Sequence, residues 1–170
     1  DTHIGPCEQV EAKYPILFHN HSLRQDSGGA GRFRGGLGTE QVIEARSPIT
    51  ATLRVERTKC APWGLAGGHA ALPNEVALRI DGKDITDLPN GKLPQRRFKP
   101  GDVFIYRAGG GGGFGPPEER DPARVAEDVR QGYVSAQAAR EAYRVALRAD
   151  GGVDERETAQ LRARPARAAA

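Results

Sequence analysis

Apolar positions change their period once along this chain. In residues 14–24, Tyr14, Ile16, Phe18 and Leu23 are mixed with polar residues, which predicts a half-buried strand with imperfect alternation. Residues 39–45 and 49–55 predict two more strands, joined by a turn at Ser47-Pro48. In the second of these, Thr50, Thr52 and Arg54 fall on one face, and Ala51, Leu53 and Val55 on the other. Residues 75–80 alternate well, with Val76, Leu78 and Ile80 on one side. Asp81-Gly82 then predicts a tight hairpin turn, whose two central residues both need positive φ, with a return strand over 83–88. Pro100-Gly101-Asp102 is a further turn, and 103–106 the last strand.

After residue 117 the period becomes helical. Asp121-Pro122 supplies an N-cap and a proline suited to the first helical position. Val125 and Val129 are spaced by four, and Gly132 closes that helix. Ser135 caps a second helix carrying Ala139, Ala142, Tyr143, Ala146 and Leu147 at helical spacing. Asp154 with Glu157 starts a third, short one. The fold class is therefore α+β: a sandwich- or barrel-like antiparallel β body, then a short C-terminal helical tail. Domains are expected at 1–117 and 118–165, with 166–170 frayed.

Composition sharpens the loops. The 170 residues include 22 glycines and 12 prolines, a fifth of the chain. Fifteen of the glycines fall in three clusters, 28–38, 64–68 and 109–115. Glycine permits close backbone approach, so three such loops could line one site and offer amides to an anion or a carbonyl oxygen. They could equally be tight turns and bulges, or places where another chain packs closely. Gly110, Gly112 and Gly115 fit GxGxxG, but Pro116-Pro117 follow where a dinucleotide-binding loop needs a helix. The P-loop pattern is absent.

Within these clusters Asp26, Ser27, Arg32 and Arg34 form the most polar set. The arginines could hold a carboxylate or phosphate, or the loop could be tied internally by an Asp–Arg pair. Arg57 and Trp63 mark the second region. Trp63, the only tryptophan, could stack on a substrate ring or anchor packing, including against a partner chain.

Charge excludes more than it suggests. A formal charge of +3, spread over the chain, leaves no nucleic-acid footprint. No apolar run reaches the roughly 20 residues needed to cross a bilayer. Two cysteines, Cys7 and Cys60, make no disulfide framework, and a reducing, cytoplasmic setting fits. No metal site is expected; His3 with Cys7 is the one short-spaced pair, and His19 and His21 are expected to share a strand face. There is no methionine, so Asp1 reads as an internal start.

The motifs taken together resemble a known family. Asp26-Ser27-Gly28-Gly29-Ala30-Gly31-Arg32-Phe33-Arg34-Gly35-Gly36 is similar to the DSGGAGRxRGG motif of the hydantoinase B / 5-oxoprolinase / acetone carboxylase alpha-type family. Pro62-Trp63-Gly64-Leu65-Ala66-Gly67-Gly68 resembles its PWGLxGG motif. Gly101-Asp102-Val103 followed by 109–115 resembles its GD-strand-GGGGxG element, and residues 121–140 its tail.

That resemblance implies the C-terminal segment of a larger subunit of an ATP-dependent cyclic-amide hydrolase. The partners implied are the rest of its own B-type subunit and a hydantoinase A-type subunit carrying ATP and Mg²⁺; no cofactor is implied on this segment. It further implies that Asp26, Ser27, Gly28, Gly29, Arg32, Arg34, Arg57, Trp63, Gly64, Gly67, Gly68, Gly110, Gly111 and Gly112 wall a small-molecule site or face a subunit interface. The family also contains ketone carboxylases, so that activity is the alternative. A non-catalytic docking domain is a third. Residues 57–60 are less arginine-rich than the family pattern leads one to expect.

Overall fold

In a computed structural model of the chain, residues 5–88 and 91–163 are described. His3 and residues 166–170 lie outside them. The chain divides into two compact units that alternate along the sequence. Of the described residues, the first takes those up to 23, 39–60 and 73–108; the second takes 24–38, 61–72 and 109–163.

The first unit is antiparallel β. Its five-stranded sheet has the order β1-β2-β7-β4-β5, with β1 Ile16–Leu23, β2 Thr39–Ala45, β7 Val103–Arg107, β4 Glu75–Ile80 and β5 Lys83–Ile85. A separate ribbon pairs β3 Ile49–Arg54 with β6 Lys92–Phe98. Ala45, Leu78 and Phe98 are buried at the centre of its core, with Ile49, Leu53 and Phe104 packed around them. An apolar cavity of about 480 Å³ opens beside this core, walled by Tyr14, Ile16, Ile43, Leu53 and Phe104 among others.

Register is set by the hairpin at Asp81-Gly82, where φ is 48° and 75°, as a tight hairpin turn requires. Arg107 lies opposite Glu40 on one neighbouring strand and Glu75 on the other. The hydrogen bond from Arg107 to Glu40 and the two negative charges raise its guanidinium pKa further, against the pull of burial. The buried Asp102 carboxylate accepts from the amides of Lys99 (2.8 Å) and Asp81 (3.1 Å). The Gly101-Asp102 motif is thus a clasp on two turns.

Several boundaries differ from the sequence expectation. β6 was not foreseen, because Pro94 sits inside it. An edge ribbon tolerates that proline, and Gln95 takes φ 46° beside a break in the β3–β6 register. A short helix, α1 (Cys7–Lys13), precedes β1; no side chain caps it and none of its residues is buried, so neither signal marks it. His19 and His21 do not share a strand face. The β1–β2 register shifts between Phe18 and Asn20, and the extra residue is His19. It reaches Glu44 at 2.7 Å, whereas His21 meets Gln41 at 3.2 Å and Cys7 at 3.0 Å. Glu44 and Gln41 lie on opposite faces of β2.

The second unit joins the three glycine segments to the helical tail. A single 3₁₀ turn at Pro117–Glu119 leads into α2 (Pro122–Arg130), α3 (Ala136–Glu141) and α4 (Glu155–Ala163). The caps follow the sequence. Asp121 accepts from the Ala123 amide, Ser135 from Ala138 and Asp154 from Glu157, and Gly132 takes φ 74°. Ala30, Val125, Val134, Ala139, Tyr143 and Val145 form the buried core.

α3 is shorter than its apolar spacing predicts. Arg144 adopts φ 55° and turns the chain out of the helix, so Tyr143 and Val145 enter the core from an irregular segment. Burial pushes the Tyr143 hydroxyl up to about 12. The unfolded chain, titrating near the ordinary value of 10, therefore loses this proton first as pH rises. The neutral phenol's contribution is complete below pH 10 and is lost as pH climbs towards about 12. Urea unfolding between those values is expected to show a steeper loss of stability for the natural chain than for Tyr143→Phe.

Candidate functional site

The three glycine clusters meet in the second unit as backbone against backbone. Gly29 N–H donates to Gly111 O (2.9 Å), Gly111 N–H to Gly36 O (2.9 Å), Gly113 N–H to His69 O (3.0 Å) and Leu65 N–H to Gly113 O (2.9 Å). Phe33 and Phe114 exchange both of their backbone hydrogen bonds. Segment 109–115 is therefore bonded to both other clusters.

What forces glycine here is space rather than φ. A Cβ on Gly35 would lie 2.6 Å from the carbonyl carbon of Gly111, and closer still to its oxygen. On Gly112 it would lie 2.6 Å from the carbonyl carbon of Trp63, and on Gly110 the same distance from that of Ser27. Gly28, Gly29, Gly64 and Gly68 meet backbone atoms in the same way. Of the candidate glycines only Gly67 has positive φ, at 90°. Close packing of interiors leaves no slack for a methyl group in such contacts.

The polar candidates hold this packing in place. Ser27 is fully buried; its hydroxyl donates to Arg24 O (2.6 Å) and accepts from Gly38 N–H (2.8 Å). Asp26, at φ 58°, accepts from the Ser135 amide at 2.8 Å and so ties the first glycine loop to the start of α3. Arg34 does not pair with Asp26. It donates to Asp128 on α2, Nε to Oδ2 at 3.2 Å, and to Gly35 O at 2.8 Å. Its guanidinium also lies over the Tyr133 ring, 5.5 Å from the centroid. Arg120 donates to the same Asp128 oxygen at 2.8 Å.

Three of the side-chain candidates, Arg32, Arg57 and Trp63, are exposed. Arg32 has 59% of its side chain exposed, and Trp63 is 73% exposed. Arg57, at φ 53°, belongs to the first unit. Asp128 and Arg120 were not singled out from sequence. A signal existed for Asp128, which follows Val125 by three and so shares the inward stripe of α2, where an ionised side chain needs a partner. Among the described residues no three His, Cys, Asp or Glu side chains come together as a metal site would require. No helix among them is long and apolar enough to cross a membrane.

An antiparallel β unit and a glycine-packed unit on a helical tail define the class, and comparison with known proteins defines the family. The hydantoinase B/oxoprolinase profile matches residues 1–117, and the chain belongs to that family. It is 36% identical to caprolactamase subunit beta of Pseudomonas jessenii over 94% of its own length and 28% of that subunit. An uncharacterized protein of Methanocaldococcus jannaschii is 37% identical over 92% of the chain and 28% of that protein.

Among solved structures, nucleotide-free acetone carboxylase superposes with a TM-score of 0.82 at 28% identity, over 95% of this chain and 26% of that one. The P. jessenii ATP-dependent caprolactamase superposes with a TM-score of 0.78 at 34% identity, over 94% and 28%. The chain thus spans little more than a quarter of the length of these relatives.

Proposed function

We propose that this chain is part of the B-type subunit of an ATP-dependent enzyme that opens cyclic amides. The observation that carries the reading is its match to caprolactamase subunit beta over nearly its whole length, in sequence and in fold. ATP and Mg²⁺ belong in this reading to a hydantoinase A-type partner. Bound there, ATP would supply a phosphoryl group to the amide oxygen and so activate the amide carbon towards attack by water. Two features support that placement: the amides of Gly29, Gly35, Gly111 and Gly113 are engaged by carbonyls of the chain itself, and Arg34 is engaged by Asp128.

This chain's own task would be positional. Asp26, Ser27, Arg34 and the close-packed glycines 28, 29, 64, 68, 110 and 112, with Gly67 and Gly111, build an unyielding wall. Arg32 and Trp63 face outward from it, towards substrate or a neighbouring subunit. Arg57 is carried by the first unit. Both cysteines are free thiols, in keeping with a reducing cytoplasm.

A second reading, a subunit of an ATP-dependent ketone carboxylase, is favoured by the acetone carboxylase superposition. The assembled complex with an A-type subunit separates them. ATP turnover stimulated by 5-oxoproline, hydantoin or caprolactam is expected. Turnover that instead needs a ketone and bicarbonate would replace the first reading with the second. Turnover with none of these would leave a docking role alone.

A further inference from the structure

Among the described residues, five large apolar side chains of the second unit are exposed; besides Leu72 these are Phe33 (56% exposed), Trp63 (73%), Leu65 (58%) and Phe114 (51%). Phe33, Leu65 and Phe114 form one patch, and Trp63 adjoins it along the chain. Phe33 bridges Phe114 in antiparallel fashion, and Leu65 bridges Phe114 in parallel. The Phe33 and Phe114 rings lie 6.3 Å apart. Trp63 is two residues from Leu65, and its carbonyl packs on Gly112.

At the edge, the Arg32 guanidinium lies 5.7 Å from the centre of the Phe33 ring and 3.8 Å from Glu119, and both charged side chains are more than half exposed. Isolated exposed apolar residues are ordinary, but a contiguous aromatic patch marks an interaction surface. An apolar centre with a charged edge is the anatomy of an interface. The interlocked glycines beneath leave little conformational freedom to lose on docking.

The kind of partner follows from chemistry and from length. An aromatic and aliphatic centre, with its charges held to the edge, resembles a permanent interface more than a transient one. About three quarters of caprolactamase subunit beta lies outside the stretch matched by this chain. We propose that the patch of Phe33, Trp63, Leu65 and Phe114 is the seat of that missing part of a B-type subunit, supplied on the same polypeptide or on a separate one. The proposal rests on the B-type reading above.

Oxidation footprinting read by mass spectrometry tests it, since each side chain reports the water that reaches it. In the chain alone the four residues are expected to oxidise readily at every protein concentration. The comparison is a chimera in which this chain replaces the matched stretch of P. jessenii caprolactamase subunit beta. There their oxidation is expected to fall by roughly tenfold, as at the water-free centre of an interface.

Unchanged oxidation in the chimera overturns the proposal. So does protection of the chain alone that grows with concentration, which would assign the patch to a second copy. Protection that comes only on adding an A-type subunit overturns it as well. Should the chimera prove insoluble, this chain is mixed with caprolactamase subunit beta lacking that stretch, and absence of protection there counts equally against it. The readout needs no turnover. An assembly that protects the patch yet hydrolyses no ATP would sink the functional reading and leave this one standing.

Discussion

Gly35→Ala is expected to unfold much of the glycine-packed unit, while Gly36→Ala, one residue on, leaves it intact. The two glycines share a cluster and differ only in what surrounds them. A methyl group added at Gly35 would fall on the Gly111 carbonyl. That carbonyl cannot retreat cheaply, because it accepts the Gly29 amide at 2.9 Å, and Gly29 in turn accepts the Gly35 amide at 3.0 Å. Moving one segment breaks bonds to the next.

Overpacking a core usually costs about 1–3 kcal/mol, and a backbone neighbour that cannot repack puts this case at about 3 kcal/mol or more. At Gly36 nothing lies within 4 Å of the added methyl and φ is not positive. That change is expected to be neutral or stabilising by up to about 0.5 kcal/mol, through the unfolded chain. Urea unfolding, with amide exchange at Gly29 and Gly111, reads both. Equal stabilities for the two variants would show that the glycines are not there for space.

That contrast also explains what sequence could convey about the site. The clusters were visible as composition, and the family motifs as strings. Whether a given glycine serves φ or space depends on which carbonyl faces it, and those carbonyls can lie far away in the chain, as for Gly110 and Ser27. Local signals travelled well by comparison. β2 and β4 fell where alternation placed them, and the caps at Asp121, Ser135 and Asp154 work through neighbours two or three residues on. Local rules failed where tertiary context overrode propensity: at Pro94 inside an edge ribbon, at the His19 bulge, and at Arg144, whose left-handed backbone ends a helix that the apolar spacing would have continued.

Asp128→Asn should be the most damaging isosteric change in the chain. Asp128 is 7% exposed and sits between two guanidiniums, Arg34 and Arg120, whose side chains are 16% and 11% exposed. Asparagine keeps the volume but removes the charge, leaving two cations side by side away from water. Removing one partner of a buried ionic group costs about 3–5 kcal/mol, far more than the group contributes over an apolar replacement.

The asymmetry supplies the control. In an Arg34→Met, Arg120→Met background, Asp128→Leu is expected to recover most of the loss, because no charge is then left unpaired. Urea midpoints for the two variants decide it. If Asp128→Asn costs less than about 1 kcal/mol, as an exposed pair would, the triad is not what fastens the first glycine loop to α2. Arg34 would then be free to serve a ligand instead.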